Sequence, residues 1–128
     1  MPPPFPLVLI VDDNALNRKL AREVLAVAGF RTLEASTAAD AIAVASREEP
    51  DVILMDLRLP DADGSDAVRT LAAQPRTSRI PVVAMTALRL DAGDGWLSEA
   101  GFAGAIPKPI DIDAFPELVL GFCGPVPR

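Results

Sequence analysis

Three acids, a threonine and a lysine each follow a short apolar run in this chain. Leu7 to Val11 leads into Asp12 and Asp13, Val52 to Met55 into Asp56, Pro81 to Met85 into Thr86, and Ala105 and Ile106 lead through Pro107 into Lys108. A strand buried on both faces of a parallel sheet reads as an unbroken Val/Ile/Leu run, and open α/β sheets bind ligands just beyond the carboxyl ends of such strands. The four runs therefore deliver three carboxylates, a hydroxyl and an ammonium to one edge. Carboxylates gathered in this way repel one another unless a cation or a proton compensates. Oxygen ligands without imidazole or thiolate select a hard ion, and a small open site with few carboxylates suits Mg2+.

Other chemistries are excluded. The chain has no histidine, so neither a Ser-His triad nor an imidazole base is available. No glycine-rich loop follows the first run, which argues against a Walker-type or dinucleotide site. A carboxylate nucleophile that becomes an aspartyl phosphate remains, with Mg2+, Thr86 and Lys108 offsetting the charge on the phosphoryl oxygens. Each residue also has a plainer role. Asp12 or Asp13 alone serves as readily as a helix cap, and Thr86 alone as a cap or turn residue. Asp56 precedes a loop, which capping explains less well. Lys108 is one of two lysines beside ten arginines and lies between Pro107 and Pro109 at a strand end.

The elements that must position these groups alternate along the chain, five strands with five helices, as crossover units of a parallel sheet do. The first helix follows Asn14 as N-cap, with an apolar stripe of Leu16, Leu20, Val24 and Val27 and an outer face of Asn17, Arg18, Lys19 and Arg22; Gly29 marks its end. A strand at 31–35 precedes a helix capped by Ser36 or Thr37, with Ala38, Ala41, Ile42 and Ala45 inward and Pro50 forbidding continuation. After Asp56 a Pro/Asp/Gly loop leads to a helix over 65–74 with Val68 and Leu71 inward. Gly93 and Gly95 weaken a helix over 91–100, each by about 1 kcal/mol. In the last helix, Pro116 falls just past the first turn if Asp111 is the N-cap, and removes a backbone bond.

With 128 residues, half of them hydrophobic, the chain suits one domain, 1–128, with a core at about 7–122 and proline-rich termini that fray. The net charge of −6 with only 12 basic residues provides no field for nucleic acid. A single cysteine, an N-terminal apolar run too short for a signal peptide and no membrane-length run lead us to expect a cytoplasmic protein.

The ordered motifs Asp12-Asp13-Asn14, Asp56-Leu57-Arg58-Leu59-Pro60-Asp61 with Gly64, Met85-Thr86-Ala87 and Lys108-Pro109 resemble the receiver domain of two-component response regulators over about Leu7 to Phe122. The DDNALNRKL opening and the length resemble stand-alone receivers of the cell-cycle and phosphorelay type. The expected fold is a doubly wound, flavodoxin-like five-stranded parallel sheet of order 2-1-3-4-5 with helices on both faces. The resemblance implies that Asp56 is the phosphoacceptor. It implies that Asp12, Asp13, Asp56 and the backbone carbonyl of Arg58 bind Mg2+, that Thr86 and Lys108 contact the phosphoryl group, that the small Ala87 leaves the site open, and that the Lys108–Pro109 bond is cis. Arg58 and Leu88 would flank the path of attacking water and set the phosphoryl lifetime. The donor would be a phosphohistidine on a histidine kinase or histidine phosphotransfer protein, docking near the first helix with Asn17, Arg18 and Arg22 as contacts. Output would pass to a downstream protein effector.

One position departs from the pattern. The family usually places Tyr or Phe three residues before the lysine as a switch partner for the threonine, and here that residue is Ala105. Switching would then fall to Thr86, its loop and the weakened helix at 91–100, where Trp96 is a native probe. Two alternatives follow: an atypical receiver that binds partners independently of phosphorylation, and a Mg2+-dependent phosphohydrolase with an aspartyl nucleophile. The latter class carries an Asp-x-Asp after its first strand, whereas this chain has adjacent acids there. The expected protein is thus a signalling receiver rather than an enzyme, catalysing only its own phosphorylation and dephosphorylation.

Overall fold

The computed structural model describes residues 6–57, 59–61, 64–86, 100–108 and 110–123. Strands β1 (Leu7–Val11), β2 (Arg31–Ala35), β3 (Val52–Asp56), β4 (Val82–Thr86) and β5 (Gly104–Pro107) are joined by helices α1 (Ala15–Val27), α2 (Ala38–Glu48) and α3 (Gly64–Ala73), and α4 (Phe115–Phe122) closes the chain. All pairings are parallel and the order is β2-β1-β3-β4-β5, the expected topology. Most of the helix expected at 91–100 lies outside the described residues.

Strand alternation divides the core. Leu9, Val11, Ile53, Met55 and Ala84 face α2 and α3, which return Ala38, Ala41, Ala45, Val68 and Leu71. Val8, Ile10, Leu54, Val83, Met85 and Ile106 face the other layer, where Ala21 and Leu25 of α1 meet Phe115 and Val119 of α4. Because both faces are covered, the central strands are apolar at nearly every position. Thr37 caps α2 by accepting the Asp40 N–H at 3.1 Å, and Gly29 takes a φ of 98° where α1 stops, a conformation glycine adopts without strain.

Two expectations need correction. The stripe assigned to α1 faces outward in part: Leu16 is 76% exposed, Val27 91% and Leu20 40%, while only Val24 of the four packs against the core. The helix is instead phased on Arg18, Ala21 and Leu25, because Arg18 finds internal partners and small Ala21 admits close approach to the sheet. In the last helix, the Asp111 side chain accepts N–H groups of Asp113 and Ala114 in a separate turn, and Ala114 is the N-cap of α4. Pro116 therefore sits within the first turn, where its missing N–H costs no intrahelical bond.

Candidate functional site

Strand register brings the acids level. Val11 pairs with Met55, so Asp12 and Asp56 leave the sheet side by side; Asp56 pairs with Met85 and Thr86 with Pro107, which sets Thr86 and Lys108 at the same edge. Asp12 and Thr86 are buried there, whereas Asp13 is exposed. Asp12, Asp13 and Asp56 each offer an oxygen within 4.8 Å of the others, a donor set that fits a small hard cation.

Lys108 closes the edge. Its ammonium donates to Asp12 Oδ2 at 2.9 Å and lies 3.3 Å from Asp56 Oδ2, while its backbone N–H donates to the Thr86 carbonyl at 2.8 Å. Burial pulls the ammonium pKa down, but the hydrogen bond and charge of Asp12, with those of Asp56, outweigh burial and leave it above its ordinary value. The capping role weighed for Asp12 is partly real as well: its other oxygen accepts the Asn14 N–H at 2.9 Å. Asn14 in turn accepts from Leu16 and Asn17 and starts α1.

Four residues, Arg18, Arg22, Glu34 and Asp61, have supporting roles that the sequence reading did not assign. Arg18 donates to the Asp12 backbone carbonyl at 2.6 Å and to Glu34 at 3.2 Å, and Arg22 takes the second Glu34 oxygen at 2.6 Å. Arg18 is thus turned inward, contrary to its assignment to an outer face, while Asn17 is exposed and Arg22 partly so. The sequence signal was an acid within edge strand β2 facing two arginines one helical turn apart. Arg22 first, with Arg18 behind it, holds the Glu34 carboxyl below its ordinary range against the opposing effect of burial. Asp61, in the loop after Asp56, accepts the N–H groups of Ala38 at 2.8 Å and Ala39 at 3.0 Å and ties that loop to the start of α2. Those two bonds lower its pKa; no local pattern announces a cap supplied from 22 residues away.

A cavity of about 80 Å³ opens beside Asp12 and Lys108, walled by Ile10, Leu54, Met85 and Ile110 with Asn17 and Leu20 also lining it. Ala105 is half-buried on β5 and packs against the α2–α3 side of the core. Arg58, Ala87, Leu88, Trp96 and Pro109, and with Pro109 the geometry of the Lys108–Pro109 bond, lie outside the described residues.

The model of the response regulator receiver domain family matches residues 8–120. The chain belongs to this family. As a whole, the receiver is similar to the polar-differentiation response regulator DivK of Brucella ovis, 32% identical over 117 residues that cover 91% of this chain and 95% of the relative. Among solved structures it resembles the receiver domain of the sensor histidine kinase PA1611 from Pseudomonas aeruginosa, with a TM-score of 0.83, 30% identity, and coverage of 94% of this chain and 99% of that one. That structure holds a magnesium ion coordinated in its active-site cleft. The chemotaxis response regulator CheY4 of Vibrio cholerae shares the fold, with a TM-score of 0.86 at 23% identity over 92% of this chain and 98% of that one. The receiver is a module of two-component signalling, with an acidic cluster consistent with Mg2+ and aspartyl phosphorylation. Among its described residues no helix is long and apolar enough to cross a membrane.

Proposed function

We propose that this receiver accepts a phosphoryl group on Asp56 from a phosphohistidine and signals to a protein partner by a change of conformation. The observation that carries this reading is the bridging of Asp12 and Asp56 by Lys108 within a cluster of three acids. An Asp56 oxygen forms the new O–P bond as the P–N bond of the donor breaks, and the imidazole leaves with the electron pair and gains a proton. Lys108 offsets charge on the phosphoryl oxygens, and Thr86 at the neighbouring strand end donates its hydroxyl to one of them. Asp12, Asp13 and Asp56 would hold Mg2+, with the Arg58 carbonyl as a further ligand. Bound there, Mg2+ would supply the charge that lets carboxylates and a phosphoryl group share one site.

The donor docks beside α1, where Asn17 and the exposed Leu20 line the cavity next to Asp12 and the exposed Leu16 and half-buried Arg22 belong to the same helix. Both arginines of that contact set are already engaged within the chain, Arg18 by the Asp12 carbonyl and Glu34, and Arg22 by Glu34. Arg58 and Leu88 act on the lifetime of the phosphoryl group, and the protein works in the cytoplasm. Beryllofluoride, a phosphoryl mimic, should raise the unfolding midpoint only with Mg2+ present and not in Asp56→Ala. Failure to bind would instead favour the phosphorylation-independent binding module, to which Ala105 lends support.

A further inference from the structure

We propose that Arg18, held in place by Glu34, is a positioning residue for the cation site: it fixes the Asp12 carbonyl and so the peptide that carries Asp13. The inference rests on the reading of the acid cluster as a Mg2+ site. Asp12 is secured at four points. Its N–H donates to the Ala35 carbonyl at 3.1 Å, one carboxylate oxygen accepts the Asn14 N–H at 2.9 Å, and the other accepts Lys108 at 2.9 Å. The carbonyl is the fourth, and at 2.6 Å from Arg18 Nη1 it makes the shortest of these bonds.

Geometry gives that bond its leverage. Charge-assisted hydrogen bonds are about twice as strong as neutral ones, and the side chains of Arg18 and Glu34 are only 20% and 29% exposed, which limits competition from water. A planar guanidinium bound through Nε to Glu34 and through Nη1 to Asp12 has little freedom left. Arg22 grips the second oxygen of Glu34 and prevents that acid from turning away. Because the Asp12–Asp13 peptide is planar, rotation of the Asp12 carbonyl would swing Asp13 with it. Asp13 is exposed, so its placement depends on this backbone rather than on packing.

Charge and positioning predict opposite signs. Two arginines against one glutamate leave a surplus positive charge near a cation site, so if Arg18 acted through its field alone, its removal would tighten Mg2+ binding. Acting as a holder, its removal loosens binding.

Mg2+ titration by calorimetry separates the two, with melting curves in the absence of Mg2+ run alongside. Arg18→Met keeps the aliphatic stem and should weaken Mg2+ binding about tenfold, as loss of a partner behind a metal ligand does. Arg18→Lys keeps the charge but cannot span Asp12 and Glu34 together, and should fall between Arg18→Met and the parent. A purely structural role would lower the melting midpoint and leave the affinity unchanged. Mg2+ binding by Arg18→Met as tight as the parent's, or tighter, overturns the inference. So does an Arg18→Lys protein indistinguishable from the parent, a result that decides the matter even if Arg18→Met does not fold. A parent that binds no Mg2+ would instead remove the cation-site reading on which the inference stands.

Discussion

Lys108 and Asp12 meet at 2.9 Å across 96 residues of chain, and this ion pair joins the last strand of the sheet to the first. Only 20% and 7% of the two side chains is exposed, so each is largely desolvated and depends on the other. Lys108→Met should therefore lower stability by about 1.5–3 kcal/mol in the absence of Mg2+, the scale of losing a hydrogen bond between charged groups. Mg2+ should then restore more of the variant's midpoint than it adds to the parent's, because a competing cation has gone. Thermal melts with and without Mg2+ measure both, and equal Mg2+ gains in the two proteins would count against the shared site.

Asp13 provides the complementary case. It is exposed and belongs to a cluster of three acids, so Asp13→Ala relieves repulsion and should raise stability without Mg2+ by roughly 0.5 kcal/mol, the scale of an exposed charge pair. The same change should weaken Mg2+ binding and phosphorylation together. Unchanged Mg2+ affinity would reduce Asp13 to a residue at the entrance to α1.

The topology and the acid edge were legible because a parallel sheet covered on both faces writes each strand as an apolar run, and the residue after each run falls at the functional edge. The phase of α1 was not. Apolar periodicity selects Leu16, Leu20 and Val27, yet Arg18 is drawn inward by Glu34 and by the Asp12 carbonyl, a pairing between segments that hydrophobicity cannot register. The start of α4 was misplaced for a related reason, since Asp111 caps a separate turn and not the helix. The capping role of Asp61 stayed hidden because the groups it caps belong to a helix distant in sequence.

The pH dependence of stability follows from these contacts. Asp61 has a lowered pKa in the folded protein, first through Ala38 and then Ala39, so its contribution is present above the unfolded carboxylate value and is lost as pH falls through the folded one. Glu34 acts in the same direction. Lys108 has a raised pKa, and its contribution is complete below the unfolded lysine value and disappears as pH rises through the folded one. Asp61→Ala should thus destabilise the protein at neutral pH, with the difference from the parent shrinking in acid. Denaturant unfolding at pH 7 and pH 3 measures it; a difference that stays constant would show that the carboxylate charge of Asp61 is not what secures the loop.

Asp56 alone is the phosphoacceptor we propose. Incubation with a small phosphodonor and Mg2+, followed by intact-protein mass spectrometry and peptide mapping, tests it most directly. One phosphoryl group per chain is expected, on the peptide containing Asp56, dependent on Mg2+ and absent from Asp56→Asn. Labelling of Asp56→Asn to the same extent as the parent would contradict it.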